Sequence, residues 1–331
     1  MTHPRWMEEL RACRLCEWRC GANRLEGERG VCCEGVPRVA SCSLHPAPPV
    51  SYTVFMTGCN FRCLHCQNYD IAHDVGETGS YRDPDDLAAE GVAALHSPLA
   101  HIMGADRLFF SGGEPTCSLS HVEQVVHEAR RLEPTVKVNI DTNGFATQES
   151  FERLLDLATS ITFDLRAVND EVHRAMTGAP VAPVLRNAAT LAAKNSKLWE
   201  FRVLVVPGIN EDELEPLCAL LADLDPSLPV AFLAFRPNFV LEWHPGTPSD
   251  LLDRAVTIAR DNGLVDATWH GHAGLSGTGT MGQHEAYARP GAKVAGAYAA
   301  AAGCKTHPRD CGLCDEVQEC AIRAYRPRRR T

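Results

Sequence analysis

The alternation of strand-like and helix-like segments between residues 50 and 269 is the feature that most limits how this chain can fold. Such alternation is typical of strand-helix units around a parallel sheet. The predicted strands are residues 52–57, 107–111, 136–140, 161–165, 199–206 and 229–235. The predicted helices are residues 84–95, 119–132, 148–158, 181–194, 211–223 and 249–262. We therefore predict an α/β fold, and the periodicity alone fits both an open doubly wound sheet and a partial barrel.

Unusual residues follow the ends of successive predicted strands. Because the carboxyl ends of parallel strands meet at one edge of a sheet, a functional site is expected at that edge. The segments, in strand order, are Cys59, Cys63 and Cys66; Gly112-Gly113-Glu114-Pro115; Asp141-Thr142-Asn143-Gly144; and Asp164-Leu165-Arg166.

Cysteines are concentrated in three parts of the chain. Of fifteen cysteines in 331 residues, six precede residue 43, three lie between residues 59 and 66, and four follow residue 303. This pattern predicts a cysteine-rich metal-binding extension at residues 1–49, an α/β core at residues 50–269, and a glycine-rich loop with a cysteine-rich extension at residues 270–331. Each flank is too small and polar to fold on a hydrophobic core alone, and a bound metal would supply the missing stability.

The sequence also limits the compartment and the partners. It shows neither a signal peptide nor an apolar run of membrane-spanning length, so we expect a cytoplasmic protein without membrane attachment. In a reducing compartment, clustered cysteines more often ligate metals than form disulfides. The formal net charge of −10 argues against a nucleic-acid partner.

Residues 59–66 place three thiols within eight residues, which lets one short loop wrap an iron–sulfur cluster. Three protein ligands leave one iron of a [4Fe–4S] cluster open. A structural zinc site instead takes four protein ligands. The alternative is therefore a zinc loop that borrows a distant ligand such as His73 or Cys117.

The spacing Cys59-x3-Cys63-x2-Cys66, with the aromatic His65 before the third cysteine, resembles the radical SAM superfamily. The resemblance implies that the three cysteines hold a catalytic [4Fe–4S] cluster whose open iron binds S-adenosylmethionine, and that His65 packs near the adenine. The segment Ser111-Gly112-Gly113-Glu114-Pro115 resembles the superfamily's Gly-Gly-Glu motif, which implies binding of the methionyl ammonium by this turn.

Four further segments resemble the pyruvate formate-lyase activating enzyme group. They occur in order as Asp141-Thr142-Asn143-Gly144-Phe145, Asp164-Leu165-Arg166, Asn169-Asp170-Glu171-Val172-His173-Arg174 and Arg202-Val203-Leu204-Val205-Val206-Pro207-Gly208. The resemblance implies a partial parallel (β/α)6 barrel. It also implies that Asp141 and Asn143 face the nucleoside and that Arg202 lies near the cofactor carboxylate. Arg166 departs from the group, which often has lysine there, so the two sites could handle substrate differently.

Each flank contains a group of cysteines that is suited to a closed metal site. Zinc and [4Fe–4S] both remain open for each group, because spacing alone rarely separates them. The N-terminal ligands are predicted as Cys13, Cys16, Cys20 and either Cys32 or Cys33, with Cys42 as an alternative. The C-terminal ligands are predicted as Cys304, Cys311, Cys314 and Cys320. Their spacing partly resembles the auxiliary-cluster domains of peptide-modifying radical enzymes. His307 is a competing ligand.

These resemblances imply an enzyme that cleaves S-adenosylmethionine reductively to a 5′-deoxyadenosyl radical, which then abstracts hydrogen from a substrate. An external one-electron donor, such as a flavodoxin- or ferredoxin-like protein, would supply the electron. The cysteine-rich flanks favour a protein or peptide substrate over a small metabolite. The alternative from another class is a non-catalytic iron–sulfur or zinc protein that carries electrons or docks a partner.

Overall fold

The computed structural model describes residues 4–73, 78–274, 277, 279, 282–312, 314 and 319–328. The chain divides into two compact units. Unit 1 comprises Met1–Asn60 and Asn68–Thr162, and unit 2 comprises Phe61–Gln67 and Phe163–Thr331. The finer division into an N-terminal extension, a core and a C-terminal extension stays a prediction.

The predicted α/β fold with mainly parallel strands is confirmed. The described residues contain eight strands: β1 (Val39–His45), β2 (Ser51–Met56), β3 (Arg107–Gly112), β4 (Lys137–Thr142), β5 (Ser160–Leu165), β6 (Leu198–Val205), β7 (Val230–Ala234) and β8 (Ala267–His270). All six predicted strands are present with small shifts at their ends, whereas β1 and β8 were not predicted. Both additional strands lie at an edge and pair with one strand each, so the sheet is open, as in a partial barrel.

Unit 1 contains an antiparallel edge and a parallel run of strands. β1 pairs antiparallel with β2, and β2, β3 and β4 follow in parallel. The helices of this unit are α1 (Tyr69–Ala72), α2 (Pro84–Leu95), α3 (Pro98–Met103), α4 (Leu119–Leu132) and α5 (Gln148–Leu157). The start of α2 is fixed by Pro84 at its first position and by Asp83, whose side chain accepts a hydrogen bond from the Asp85 amide.

Unit 2 contains the parallel strands β6, β7 and β8. Its helices are α6 (Asp170–Thr177), α7 (Ala182–Ala192), α8 (Leu214–Leu224), α9 (Ser249–Asp261), α10 (Pro290–Ala301) and α11 (Ala321–Ala324). Asn169 caps α6 by accepting hydrogen bonds from the amides of Glu171 and Val172, and the left-handed Gly178 ends the helix. Among the described residues, no helix is long and apolar enough to span a membrane.

Candidate functional site

The cysteine loop begins directly after β2, and its first part lies in unit 1. Cys59 is buried, and the side-chain amide of Asn143 lies 3.8 Å from its Sγ. The same amide donates a hydrogen bond of 2.8 Å to Asn60 Oδ1. The indole of Trp18 donates to the Asn60 carbonyl at 2.8 Å, so the N-terminal flank covers this part of the loop. Asn143, predicted from the sequence as a site residue, is therefore in contact with a predicted cluster ligand.

The remainder of the loop belongs to unit 2 and is hydrogen-bonded to the end of α6. Backbone amides of Arg62 and Leu64 donate to the carbonyls of Thr177 and Met176 at 2.7 and 3.0 Å. Burial raises the pKa of Cys63 to about 11, although the nearby guanidinium groups of Arg166 and Arg309 oppose this shift. A metal ligand must be a thiolate, so metal binding at Cys63 has to release this proton.

His65 lies in this second part of the loop and has a buried ring that is 3% exposed. Neither of its ring nitrogens has a hydrogen-bond partner within the part of the chain that the structure describes. Burial lowers the pKa of His65 well below its ordinary value, and the charges of Arg166 and Arg309 add to this effect. A neutral ring with two unsatisfied nitrogens is costly to bury, which points to a polar ligand beside it.

The glycine turn after β3 is packed tightly against the start of the cysteine loop. Gly112 has a φ of +106°, and a Cβ on Gly113 would lie 1.9 Å from the Gly58 carbonyl oxygen. The Glu114 amide donates to that same oxygen at 2.8 Å. Only glycine can occupy this turn, because any side chain would push the two backbones apart.

Glu114 connects the ends of β3 and β4 through its carboxylate. Oε1 accepts hydrogen bonds from the amide and hydroxyl of Thr116 and from the hydroxyl of Thr142, and Oε2 accepts one from the Asn143 amide. Burial raises the pKa of Glu114 to about 7, against the lowering effect of these bonds. The Glu114 side chain therefore stabilises the turn by hydrogen bonds. Its role in binding the methionyl ammonium stays a prediction.

Asp141 lies near the end of β4, Arg202 lies within β6 and Arg166 directly follows β5, and each has a polar partner. Asp141 accepts a hydrogen bond of 2.8 Å from the Ser111 hydroxyl in unit 1. In unit 2, Arg202 pairs with Glu200 at 2.6 Å, and Arg166 pairs with Asp164 at 2.6 Å. Arg166, which stands where the activating enzymes often have lysine, therefore forms an ion pair within the Asp164-Leu165-Arg166 segment.

The donors present fit an iron–sulfur cluster with S-adenosylmethionine. Three thiols follow a strand end, a buried histidine ring lacks polar partners, and a glycine turn lies against the same loop. Among the described residues, no group of three or more His, Cys, Asp or Glu side chains is arranged to hold a metal ion.

The first three N-terminal cysteines lie in a short loop of unit 1, residues 13–22, which we call the N-terminal knuckle. The Cys13 amide donates to the Ala22 carbonyl at 3.2 Å, and the Gly21 amide donates back to the Cys13 carbonyl at 3.0 Å, which closes the loop around Cys16 and Cys20. Burial raises the pKa of Cys16, and the nearby thiol of Cys32 raises it further. Cys32 therefore lies near two of the other predicted ligands, Cys13 and Cys16.

Cys117 is a further member of this group that was not predicted, because the sequence indicated it only as a distant ligand for a zinc loop at residues 59–66. The Cys117 thiol hydrogen-bonds with Cys32, and this contact, together with burial, raises its pKa. Cys42 lies elsewhere, on β1, where its thiol hydrogen-bonds with Tyr52. The Cys33 thiol faces the Val31 carbonyl at 3.6 Å. These contacts favour Cys32 as the N-terminal ligand over Cys33 and Cys42.

Arg24 is buried within this group. Its guanidinium donates to the Cys117 carbonyl at 2.5 Å and to the Gly35 carbonyl at 2.8 Å, and it lies 3.6 Å from Cys13 Sγ. Burial lowers the pKa of Arg24, but the thiols of Cys32 and Cys13 outweigh this effect and raise it. No pattern in the sequence predicts a buried arginine at this position.

The four C-terminal cysteines line one cavity in unit 2. The lining is Arg62, Cys304, Thr306, Arg309, Asp310, Cys311, Cys314, Cys320 and Ile322. His307 is not among these residues, since its ring nitrogens face the Cys304 carbonyl and the Tyr287 hydroxyl at 3.0 and 3.3 Å. The structure therefore places the four predicted cysteines together and leaves the competing histidine outside.

Comparison with known proteins gives the family. The sequence pattern of the radical SAM superfamily matches residues 53–221, about half of the chain, including the cysteine loop and the glycine turn. The chain belongs to the radical SAM superfamily. Members of this superfamily are enzymes that bind a [4Fe–4S] cluster and S-adenosylmethionine, so this chain is an enzyme of that kind and the non-catalytic alternative is not supported.

Relatives of this radical SAM enzyme include activating enzymes. Pyruvate formate-lyase 1-activating enzyme of Escherichia coli K12 is 31% identical over 175 residues, which cover 52% of this chain and 68% of the relative. Uncharacterized protein MJ0808 of Methanocaldococcus jannaschii is 27% identical over 277 residues, covering 76% of this chain and 78% of the relative. The predicted resemblance to the activating enzymes is confirmed.

Solved structures with partial similarity to this enzyme include a domain of the pyruvate-formate lyase-activating enzyme from Bacteroides vulgatus. That match has a TM-score of 0.41 and 19% identity, and it covers 50% of this chain and all of the domain. Streptococcus suis SuiB bound to S-adenosylmethionine matches with a TM-score of 0.47 and 15% identity, covering 64% of this chain and 48% of SuiB.

Proposed function

We propose that this radical SAM enzyme abstracts a hydrogen atom from a protein or peptide substrate. The observation that carries the proposal is the cysteine loop at the end of β2, within a region similar to enzymes whose names state that they activate another protein. A small-metabolite substrate is the alternative. An external one-electron donor of the flavodoxin or ferredoxin type belongs to the proposal.

In this proposal Cys59, Cys63 and Cys66 hold the catalytic cluster. When bound, the cluster and S-adenosylmethionine supply one-electron cleavage of a sulfur–carbon bond, which yields methionine and a 5′-deoxyadenosyl radical. The protein has to bring the substrate carbon close and to exclude water.

Residues of the chain have distinct tasks around these groups. His65 is proposed to pack near the adenine, and its buried, neutral ring with two unsatisfied nitrogens supports this role. Asn143 fixes the Cys59 side of the loop through its amide, and Asp141 is proposed to face the nucleoside. Trp18 of the N-terminal flank covers one side of the loop, because its indole donates a hydrogen bond to the Asn60 carbonyl.

The remaining polar residues bind the amino-acid part of the cofactor. Gly112, Gly113 and Glu114 form a turn that packs closely against the backbone of Gly58 because the glycines have no side chains. We assign the binding of the methionyl ammonium to this turn. Arg202 is assigned to the cofactor carboxylate, because it carries a fixed positive charge on β6 that Glu200 holds in place.

The cysteines of the N-terminal knuckle form a further metal site in this proposal. Its ligands are Cys13, Cys16 and Cys32, with either Cys20 or Cys117 as the fourth. The hydrogen bond between the thiols of Cys32 and Cys117, and the proximity of Cys32 to Cys16, support this set. The C-terminal cysteines form a second site, supported by their common cavity.

Transfer of deuterium tests the substrate class. A deuterium-labelled lysate of the source organism, separated into protein and small-molecule fractions, is incubated anaerobically with the enzyme, dithionite and S-adenosylmethionine. We expect 5′-deoxyadenosine to gain deuterium from the protein fraction and to gain none with the Cys63→Ala variant. Deuterium from the small-molecule fraction alone would establish the metabolite alternative.

A further inference from the structure

The C-terminal end of α6 is shared between the cysteine loop and the predicted C-terminal extension. The last carbonyls of a helix have no partner within it, so other parts of the chain must satisfy them. In α6, the carbonyls of Met176 and Thr177 accept hydrogen bonds from amides of the cysteine loop. The carbonyls on either side of these two, those of Ala175 and Gly178, accept hydrogen bonds from the C-terminal extension instead. One helix end therefore contacts both segments.

The contacts from the C-terminal extension come from residues 309–311. The Cys311 amide donates to the Gly178 carbonyl at 2.8 Å. The carboxylate of Asp310 forms an ion pair with the guanidinium of Arg174, within α6, at 2.9 Å. Backbone and side-chain contacts thus fix this short segment to the same helix end that bonds to the cysteine loop.

Arg309 contacts both the helix end and the cysteine loop. Its side chain is charged but only 1% exposed. One guanidinium nitrogen donates to the Ala175 carbonyl at 2.8 Å, and another donates to the Arg62 carbonyl at 2.6 Å. These two carbonyls and the negative end of the helix dipole offset part of the cost of burying the cation. Arg309 therefore connects α6 to the cysteine loop through a pair of buried hydrogen bonds.

The Arg62 carbonyl belongs to the peptide unit that leads into Cys63. Because a peptide unit is planar, a hydrogen bond that fixes the Arg62 carbonyl also fixes the direction of the Cys63 amide. The Arg62 amide is bonded to the Thr177 carbonyl, so the backbone is fixed on both sides of this residue. Without the Arg309 guanidinium, the buried Arg62 carbonyl would lose its donor and the peptide before Cys63 would be free to turn.

We propose that Arg309 is a positioning residue for the catalytic loop, because it fixes the peptide before Cys63 and makes the geometry of this loop depend on residues 309–311. The inference rests on the proposed role of Cys63 as a ligand of the catalytic cluster. It holds whether the C-terminal cysteines bind zinc, an iron–sulfur cluster or no metal, since protein groups alone make the contacts. A small displacement at a cluster ligand lowers the rate of a reaction that needs exact geometry.

The rate of S-adenosylmethionine cleavage tests this role. The full-length wild type, Arg309→Gln and Arg309→Lys are reconstituted anaerobically and reduced with dithionite, and 5′-deoxyadenosine is measured over a range of S-adenosylmethionine concentrations. Arg309→Gln should lower kcat by about tenfold or more, with a smaller change in KM. Arg309→Lys keeps the charge but loses the planar fork, so it should lower kcat by only about threefold. Wild-type kcat in folded Arg309→Gln, or in Arg309→Lys if the glutamine variant does not fold, would overturn the proposal.

Electron paramagnetic resonance shows whether the effect lies at the catalytic loop. Only a cluster with an open iron binds S-adenosylmethionine, so the change in the spectrum when this cofactor is added belongs to the catalytic cluster. We expect Arg309→Gln to alter this spectral change and Arg309→Lys to restore most of it. A lower kcat together with the wild-type spectral change in both variants would show that Arg309 does not position the loop.

Two further variants are matched controls. Arg260→Gln makes the same chemical change at an exposed position of α9. Cys218→Ala makes a buried change in α8, outside the three cysteine groups. Both should keep the kcat and the spectrum of the wild type, and a loss in Cys218→Ala as large as in Arg309→Gln would overturn the proposal. Absence of 5′-deoxyadenosine from the wild type would refute the proposed function as well, whereas equal behaviour of an active wild type and both Arg309 variants would refute this inference alone.

Discussion

The side-chain amide of Asn143 lies between Asn60 and Cys59, 2.8 Å from Asn60 Oδ1 and 3.8 Å from Cys59 Sγ. It connects the end of β4 to the first residues of the cysteine loop. A neutral donor beside a thiolate stabilises the negative charge that cluster ligation requires.

Asn143→Asp should therefore reduce iron at the catalytic loop and slow cleavage of S-adenosylmethionine by about tenfold or more, equivalent to about 1.4 kcal/mol or more. The carboxylate would face both the Asn60 oxygen and the Cys59 sulfur with negative charge. Asn143→Ala removes the donor without adding charge and should have the smaller effect. Equal rates in the two variants would show that charge at this position is unimportant.

Arg24 is predicted to stabilise the N-terminal knuckle through its buried hydrogen bonds to Gly35 and Cys117. Arg24→Met keeps much of the volume but leaves two buried carbonyls without their donor. The free energy of unfolding should fall by about 2 to 4 kcal/mol in urea titrations. Arg11→Met, at an exposed arginine of the same flank, should change it by less than about 0.5 kcal/mol. Similar losses in both variants would refute a special role for Arg24.

Gly178 is predicted to be required for the position of Cys311. A Cβ on Gly178 would lie 2.1 Å from Cys311 Sγ, and the residue has a φ of +82°. Gly178→Ala should therefore cost the strain of a left-handed alanine, about 1 to 2 kcal/mol, and at least about 1 kcal/mol more from the steric clash. Gly263→Ala is the matched control, because its φ is +98° and its Cβ would meet open space. Thermal unfolding that is the same for both variants would contradict the close contact.

Glu114 should make stability depend on pH. Its pKa rises from an ordinary 4.5 to about 7 in the folded chain, so folding favours the protonated form. The folded state then becomes less stable as pH rises from about 4.5 to about 7, by up to about 3 kcal/mol. Urea titrations without S-adenosylmethionine should show this decline for the wild type relative to Glu114→Gln. A difference that is constant across this pH range would rule out the raised pKa.

Much of the core could be predicted because its signals are local. Helices α2 and α4 begin and end where predicted, because α2 starts with a proline after a capping aspartate and α4 has clear amphipathic spacing, and these signals act within a few residues. β1 was missed because its sequence, VASCSLH, has little apolar alternation and is defined by pairing with β2. β8 has only four residues, too few to show a period.

The site residues could likewise be predicted where their signals are local, and they could not be predicted where residues distant in the sequence come together. The cysteine loop and the glycine turn are short motifs, and the sequence alone located them. Cys117 lies 85 residues from Cys32, so only the folded chain brings the two thiols together. Arg24 and Arg309 are buried against the usual preference of arginine, and no neighbouring residue in the sequence signals it.

Cleavage of S-adenosylmethionine by the purified, reconstituted enzyme tests the central claim most directly. The enzyme is incubated anaerobically with dithionite and S-adenosylmethionine, and 5′-deoxyadenosine and methionine are quantified by chromatography. We predict both products in equal amounts from the wild type and from Cys218→Ala, and neither from Cys59→Ala, Cys63→Ala or Cys66→Ala. Absence of 5′-deoxyadenosine from wild-type protein with a full iron content, or its undiminished formation by the three loop variants, would contradict the account.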